Sequence, residues 1–260
     1  MARTHVITGA ASGIGRATQQ LLRERGDRVI GVDIHDADVV VDLTTAEGRA
    51  SLVSEVARLS GGSIDAIHAV AGLAHPVPAT VAVNFFGMVA TLEGLRPLLA
   101  GSAAPRAVGV CSMASLMPVD DELVALMTAG DEAGALARAQ VNADDPTTQG
   151  QLIYSSTKKA FAQWIRRTAA TPEWAGAGIP LNAVAPGIIE TPMVADMIAT
   201  EEARAALLQM VPMPLNGFAQ PIAVARLLAW LTSEENTHLC GQVVFIDGGS
   251  DVVIRGDSTW

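Results

Sequence analysis

The chain is short of cysteine, of positive charge and of long uninterrupted apolar runs, and each shortage excludes a class of protein. Only Cys111 and Cys240 occur among 260 residues, far apart and without a C-x-x-C pair, so neither a disulfide framework nor a zinc site is indicated. A reducing, cytoplasmic setting fits. The histidines, His5, His35, His68, His75 and His238, lack ligand-like spacing; they read as surface or satisfied core groups, and no catalytic metal is expected. Seventeen Lys and Arg stand against 27 Asp and Glu, a formal charge of −10. Nonspecific binding to nucleic acid or to an anionic membrane is disfavoured, because the phosphate-attracting term is repulsive overall. The uncharged stretch from Pro76 to Leu92 is interrupted by Pro78, Asn84 and Gly87 and is shorter than a membrane span; it reads as loop and core helix. Met1 to His5 runs directly into an apolar strand, so no signal peptide is expected. No linker, charge block, low-complexity tract or repeat divides the sequence, so one domain over residues 1–260 is expected.

What is present is a 50% hydrophobic, 17% charged composition, enough for one substantial core. Apolar runs at Val6–Ile7, Val29–Val32, Ala66–Val70, Ala107–Val110, Leu181–Val184 and Val243–Ile246 alternate with longer helical segments. This is the pattern of an α/β protein, a parallel sheet covered on both faces. Ligand is expected at the carboxyl ends of its strands.

Val6–Ile7 leads into Thr8-Gly9-Ala10-Ala11-Ser12-Gly13-Ile14-Gly15 and a helical segment from Arg16. Strand, glycine turn and helix start together form a site for a diphosphate, which backbone N–H groups bind. The spacing is G-x-x-x-G-x-G rather than G-x-G-x-x-G, and the plain alternative is an ordinary turn. Asp33 ends the next apolar run, where a carboxylate accepts hydrogen bonds from an adenosine ribose and repels a 2′-phosphate, favouring NAD over NADP; a strand-end turn is the bland alternative. Tyr154 and Lys158 stand four apart, hence on one face of a helix. A nearby ammonium favours a phenolate and suits the tyrosine to proton transfer, though the same spacing also occurs as a plain surface pair.

With Thr8 to Gly15, Asp33, Asn84, Ser112, Tyr154 and Lys158 in this order, the sequence resembles the short-chain dehydrogenase/reductase family over nearly its whole length. Further family-like pieces are Val41-Asp42-Leu43-Thr44, Val70-Ala71-Gly72, Asn182-Ala183-Val184-Ala185-Pro186-Gly187, Glu190-Thr191-Pro192 and Ile246-Asp247-Gly248-Gly249. The resemblance implies a Rossmann-type doubly wound sheet in three α/β/α layers. It implies that Ser112 bonds the substrate oxygen and Tyr154 exchanges a proton with it. Lys158 would lower the Tyr154 pKa and hold the nicotinamide ribose, and Asn84 would position a water linking Lys158 to solvent. The NAD contacts it implies are Gly9, Ser12, Gly13, Ile14, Gly15 and Asp33; Asp42 and Leu43 beside the adenine; Ala71 and Gly72 along the ribose; Tyr154 and Lys158; Pro186 and Gly187; and Ile189 and Thr191 near the carboxamide. Asp42 could instead cap a helix, and Pro186-Gly187 could be only a turn.

Two departures stand out. Val70 replaces an asparagine common in the family, which questions local rigidity. Ser112 and Tyr154 are 42 positions apart, more than is usual, so about 116–150 contains an insertion. Within it, Asp120 to Ala139 reads as one or two helices broken near Gly130, and Asn142 to Pro146 as a loop. It could cover substrate, build a subunit contact or be a solvent-facing loop, and its placement resembles that in bacterial 3α-hydroxysteroid dehydrogenase/carbonyl reductases. A substrate lid is expected over about 191–214, with helices at Met193–Ile198 and Ala203–Met210 and with Met193, Met197, Leu207, Met210 and Met213 as candidate pocket contacts. The expectation is an NAD(H)-dependent oxidoreductase of a secondary alcohol and its ketone, a hydroxysteroid or another bulky apolar molecule, working as a homodimer or homotetramer. The competing readings are a noncatalytic NAD-binding regulatory or assembly protein and an NADPH-dependent carbonyl reductase.

Overall fold

Successive residues of a strand face opposite sides of a sheet, and here both sides are apolar. In strand β1 (Thr4–Thr8) Val6 joins the cluster on one face and Ile7 the cluster on the other. The computed structural model describes residues 2–259. Helix α1 (Gly13–Glu24), β2 (Arg28–Asp33) and β3 (Val39–Val40) follow, then α2 (Ala46–Ser60) and β4 (Ala66–Ala69). Helix α3 (Pro78–Val81) passes through a π turn at Ala82–Gly87 into α4 (Met88–Leu95), before β5 (Arg106–Val110). Helices α5 (Asp121–Ala129), α6 (Glu132–Ala143) and α7 (Gln151–Thr168) precede β6 (Leu181–Pro186). Helices α8 (Glu201–Met210) and α9 (Pro221–Leu231), β7 (Val243–Ile246) and α10 (Ser250–Arg255) complete the chain.

The seven strands are all parallel, in the order β3-β2-β1-β4-β5-β6-β7. β1 is flanked by β2 and β4, with Val6 opposite Ile30 on one side and Ile67 on the other. The winding therefore reverses between β1 and β4, and the crevice at their carboxyl ends is where such sheets bind ligand. Six strands match the sequence reading. The seventh, β3, has two residues, too few for any periodicity to register.

Helices α1 and α9 cover one face through Leu22, Val224 and Leu228, while α2, α4 and α7 cover the other through Leu52, Leu92 and Phe161. Gly109 on β5 lets α7 come close, since a Cβ there would stand 2.4 Å from Phe161 Cζ. The helical run Pro78–Gly101 is apolar and long enough to cross a membrane, with mean hydropathy 1.2, but 56% of its most apolar window is buried inside the fold.

The segment before the tyrosine is not a solvent-facing loop. It forms α5 and α6, separated by Gly130 in the left-handed conformation (φ 79°). Leu123, Met127, Ala135 and Ala139 are fully buried and share one cluster with Ile153 and Ile165 of α7. Helix α6 also runs on through Ala143, so Asn142 is a buried helical residue and not part of a loop.

Candidate active site

The glycine turn at the carboxyl end of β1 is built for close backbone approach. Gly9 has φ +71°, and a Cβ on it would lie 2.9 Å from the Ala71 backbone. Thr8 Oγ accepts from the N–H groups of Val70 (3.0 Å) and Ala71 (3.2 Å). That pair of bonds supplies from β1 the rigidity that Val70, standing where an asparagine is common, does not. The turn leads into α1, whose N-cap Ser12 makes no side-chain capping bond and whose first turn, which includes Ile14 and Gly15, holds no acid. Four other helices are closed by their own N-cap side chains, Thr45, Asp120, Asp131 and Thr200, whereas α1, like α7 and α9, is not. The N–H groups opening α1 are thus left for an anion, and a Cβ on Gly13 would meet Thr191 Cγ2 at 3.2 Å, so Thr191 sits over this turn.

Asp33 ends β2 beside the turn, accepting from Ala11 N (2.9 Å) and Ile34 N (2.7 Å). Asp42 Oδ1 accepts from Thr44 N at 2.8 Å, a turn bond and not a helix cap, since Thr45 caps α2. The Leu43 side chain is buried in the core, which leaves only its backbone to face a ligand. Gly72 adjoins the chemistry directly, because a Cβ there would lie 3.2 Å from Asn84 Oδ1 and 3.7 Å from Lys158 Nζ. Pro186 and Gly187 close β6, where Gly187 N donates to Ile246 O (3.1 Å), and Ile189 pairs with Ala219.

Ser112, just past β5, opens a 3-10 turn and accepts from Ala114 N at 3.1 Å, which leaves its own proton free to donate. Tyr154, the only tyrosine in the chain, rises from the first turns of α7. Burial pushes its phenol above the usual value of 10.0, and the nearby Ser112 side chain offsets part of that. Lys158 is buried with Nζ 5.6 Å from the centroid of the Tyr154 ring and donates to Val110 O at 3.0 Å. Burial lowers its pKa to about 8. The expected lowering of the tyrosine is therefore not what this arrangement gives. The ammonium is directed at a backbone carbonyl, is itself held down by desolvation, and does not offset the burial of the phenol.

Asn84, fully buried in the π turn, clamps a loop: Leu73 N donates to its Oδ1 (2.7 Å), while its Nδ2 donates to Leu73 O (2.8 Å) and Thr157 Oγ (3.2 Å). Its two amide protons are spent on protein partners. Such π turns are frequent at functional sites.

The lid segment differs from its sequence reading. Met193–Ile198 forms two 3-10 turns rather than a helix, and Met193, Met197 and Met210 are exposed. Only Leu207 and Met213 of the five candidates join the apolar cluster beside the serine turn, with Met113, Ile188, Val211 and Phe218. Met213 is fixed there, its sulfur accepting from Ile188 N at 3.3 Å. Thr8, Thr157, Met113 and Ile188 were thus missed as site residues, although Thr8 heads the glycine motif and Thr157 lies inside the tyrosine-lysine spacing. Among the described residues no group of three His, Cys, Asp or Glu could hold a metal ion.

This is the plan of a doubly wound α/β enzyme. A family model described as Enoyl-(Acyl carrier protein) reductase matches residues 9–251, and the chain belongs to the short-chain dehydrogenase/reductase family. It is 34% identical to a 3-alpha-hydroxysteroid dehydrogenase/carbonyl reductase of Comamonas testosteroni, over 96% of this chain and 97% of that protein. It is 31% identical to a cis-4-hydroxycyclohexanecarboxylate dehydrogenase of Sinomonas cyclohexanicum, over 96% and 97%. The crystal structure of the 3-alpha-hydroxysteroid dehydrogenase from Pseudomonas sp. B-0831 complexed with NADH superposes with a TM-score of 0.88 at 37% identity, covering 98% of this chain and 99% of that one. The protein is an oxidoreductase of this family, whose relatives act on alcohols and ketones.

Proposed function

We propose that the protein interconverts a secondary alcohol and its ketone with NAD(H), with Ser112, Tyr154 and Lys158 acting on the reacting oxygen. The observation that carries this reading is that Lys158 Nζ lies 5.6 Å from the centroid of the Tyr154 ring and 3.7 Å from where a Cβ on Gly72 would stand, with Ser112 opening the turn that follows β5. The cofactor fits the residues present: the uncapped start of α1 suits a diphosphate, and Asp33 suits a ribose. Asp36 and Asp38 lie close by in sequence, and Arg23 is paired with Asp38 at 3.3 Å, which supports NAD over a 2′-phosphorylated form. Gly9, Ser12, Gly13, Ile14, Gly15, Asp42, Leu43, Ala71, Gly72, Tyr154, Lys158, Pro186, Gly187, Ile189 and Thr191 complete the set that would hold it, and when bound it supplies or accepts the hydride.

The residues divide the proton work. Ser112 donates to the substrate oxygen through the proton its capping role leaves free. In ketone reduction the protonated phenol of Tyr154 donates to that oxygen, and its raised pKa keeps it protonated at neutral pH. In alcohol oxidation the phenolate takes the hydroxyl proton, so oxidation gains as pH rises. Lys158, at about 8, holds a proton close to neutrality and can return it toward the tyrosine. Asn84 acts through its clamp on the loop carrying Leu73.

Met113, next to Ser112, packs in an apolar cluster with Ile188, Val211, Met213 and Phe218, and apolar surroundings there support a bulky apolar substrate such as a hydroxysteroid. Testing hydroxysteroids, cyclic and aryl alcohols and their ketones with NADH and NADPH decides the reading: turnover of bulky apolar members with NADH supports it, and no turnover, or preference for NADPH, removes it. The same reading includes a homodimer or homotetramer in the cytoplasm. Val252, Val253 and Ile254 of α10 and Leu215 are exposed apolar side chains that a second copy could cover, and light scattering measures the assembly.

A further inference from the structure

Helices α5 and α6 meet α7 through a buried carboxylate. Asp120 is the N-cap of α5, accepting from Leu123 N at 3.1 Å, and its side chain is 4% exposed. Its other oxygen accepts from Arg138 Nε and from Asn142 Nδ2, both at 2.6 Å and both on α6. Burial works against ionisation, but the bonds from Asn142, Arg138 and Leu123 outweigh it and hold the carboxyl below its usual range.

What Asp120 anchors is the short crossing that leaves the Ser112 turn. Within it, Asp120 N donates to Ser156 Oγ at 2.9 Å, and Pro118 O accepts from Ser155 Oγ at 2.6 Å. Ser155 and Ser156 are the two residues directly after Tyr154. The crossing thus starts at one candidate catalytic group and is bonded to the helical turn that bears the other. Helix α6 is fixed at its far end as well: Glu132 pairs with Arg49, whose Nε donates to Leu43 O at 2.8 Å.

We propose that Asp120 is a positioning residue for proton transfer, holding the Tyr154 turn of α7 in register with Ser112 through the Pro118–Asp120 crossing. This rests on the alcohol and ketone reading above. An active-site misplacement of about 1 Å can cost ~10²-fold in rate, so a loosened anchor affects chemistry before it affects folding. The role is distinct from substrate contact, because all three of the carboxylate's donors come from α5 and α6.

The test uses the chain's single tyrosine, whose phenolate absorbance titrates Tyr154 without substrate or cofactor. In Asp120→Asn the oxygen that caps Leu123 N is retained, while the second position sets an amide against two donors. The expected result is a tyrosine midpoint moved down toward its ordinary value, with kcat lowered about tenfold and KM held within about twofold, the split expected of lost orientation. Arg138→Gln, a more exposed position, removes one donor and shows the same pair of changes at smaller size; it decides the matter if Asp120→Asn does not fold. In a folded variant any other combination overturns the proposal: an unmoved midpoint, a retained kcat, or a rise in KM alone. A wild-type protein inactive across the substrate panel counts against the alcohol and ketone reading instead, and the midpoint then decides the positioning role by itself.

Discussion

At the amino ends of the strands the Arg3 guanidinium donates to the carbonyls of Asp65, Ala104 and Thr232, whereas at the carboxyl ends Lys158 has one protein acceptor, Val110 O. The contrast extends to the neighbours. Asp65 accepts from Thr4 N and Ser102, and His5 and His68 share a bond of 3.0 Å across the sheet. Burial holds His5 near 4, against the pull of Asp27, and holds His68 well below its ordinary value. Both rings are neutral near pH 7, and their surroundings are tied to one another. At the other end Ser112 keeps a free proton, Tyr154 is raised by burial, and Lys158 lies near 8. Buried polar groups occupy both ends of one sheet, and at the amino end Arg3 Nε, His5 Nε2 and His68 Nδ1 are left without a hydrogen-bond partner among the described residues; what sets the carboxyl end apart is the kind of group gathered there, a hydroxyl, a phenol and an ammonium beside a glycine turn.

The largest effect expected from breaking this comparison is on rate alone. Lys158→Met should lower turnover by roughly 10²- to 10³-fold with no loss of stability at neutral pH. Keeping a charged amine that burial has lowered to about 8 opposes folding by about 3 kcal/mol. That cost is full below pH 8 and disappears as pH rises toward 10.5, so the wild type gains stability over this window and the variant does not; thermal melts at pH 7 and pH 10 compare them.

The opposite end should answer in stability alone. Because His5 binds its proton only near pH 4 when folded but near 6.5 when unfolded, its contribution is complete above 6.5 and is lost as pH falls toward 4, by about 3 kcal/mol. Denaturant titrations across that range check it, and replacing His5 and His68 together by Asn should flatten the dependence. Acid loss that persists unchanged in that double variant would place the sensitivity elsewhere.

A smaller change sharpens the cofactor side. Asp33→Ala should narrow an initial NADH preference about tenfold, in line with ~1.5–3 kcal/mol for a charge-assisted hydrogen bond, as read by binding titrations with both cofactors.

How far the sequence carried this picture depends on how local each signal was. The glycine turn, Asp33 and the tyrosine-lysine spacing are contiguous or periodic, and the glycine turn and Asp33 lie together at the carboxyl ends of β1 and β2. The two-residue strand Val39–Val40 is too short to register, and the turn-forming composition of Asn142 to Pro146 hid a helical asparagine whose partner, Asp120, is 22 positions away. Methionine spacing could not separate exposed Met193 and Met197 from buried Met213, because that depends on what packs beside them. The direction of the Tyr154 shift was also out of reach. Four-residue spacing places an ammonium near the ring but does not reveal that Val110 O holds it or that burial dominates the phenol.

The most direct measurement compares Tyr154→Phe with the wild type in two readings on the same sample, NAD(H) affinity and turnover of the best alcohol or ketone in the panel. Affinity within about twofold and turnover lowered about 10³-fold is the result the account predicts. Turnover equal to the wild type would contradict it.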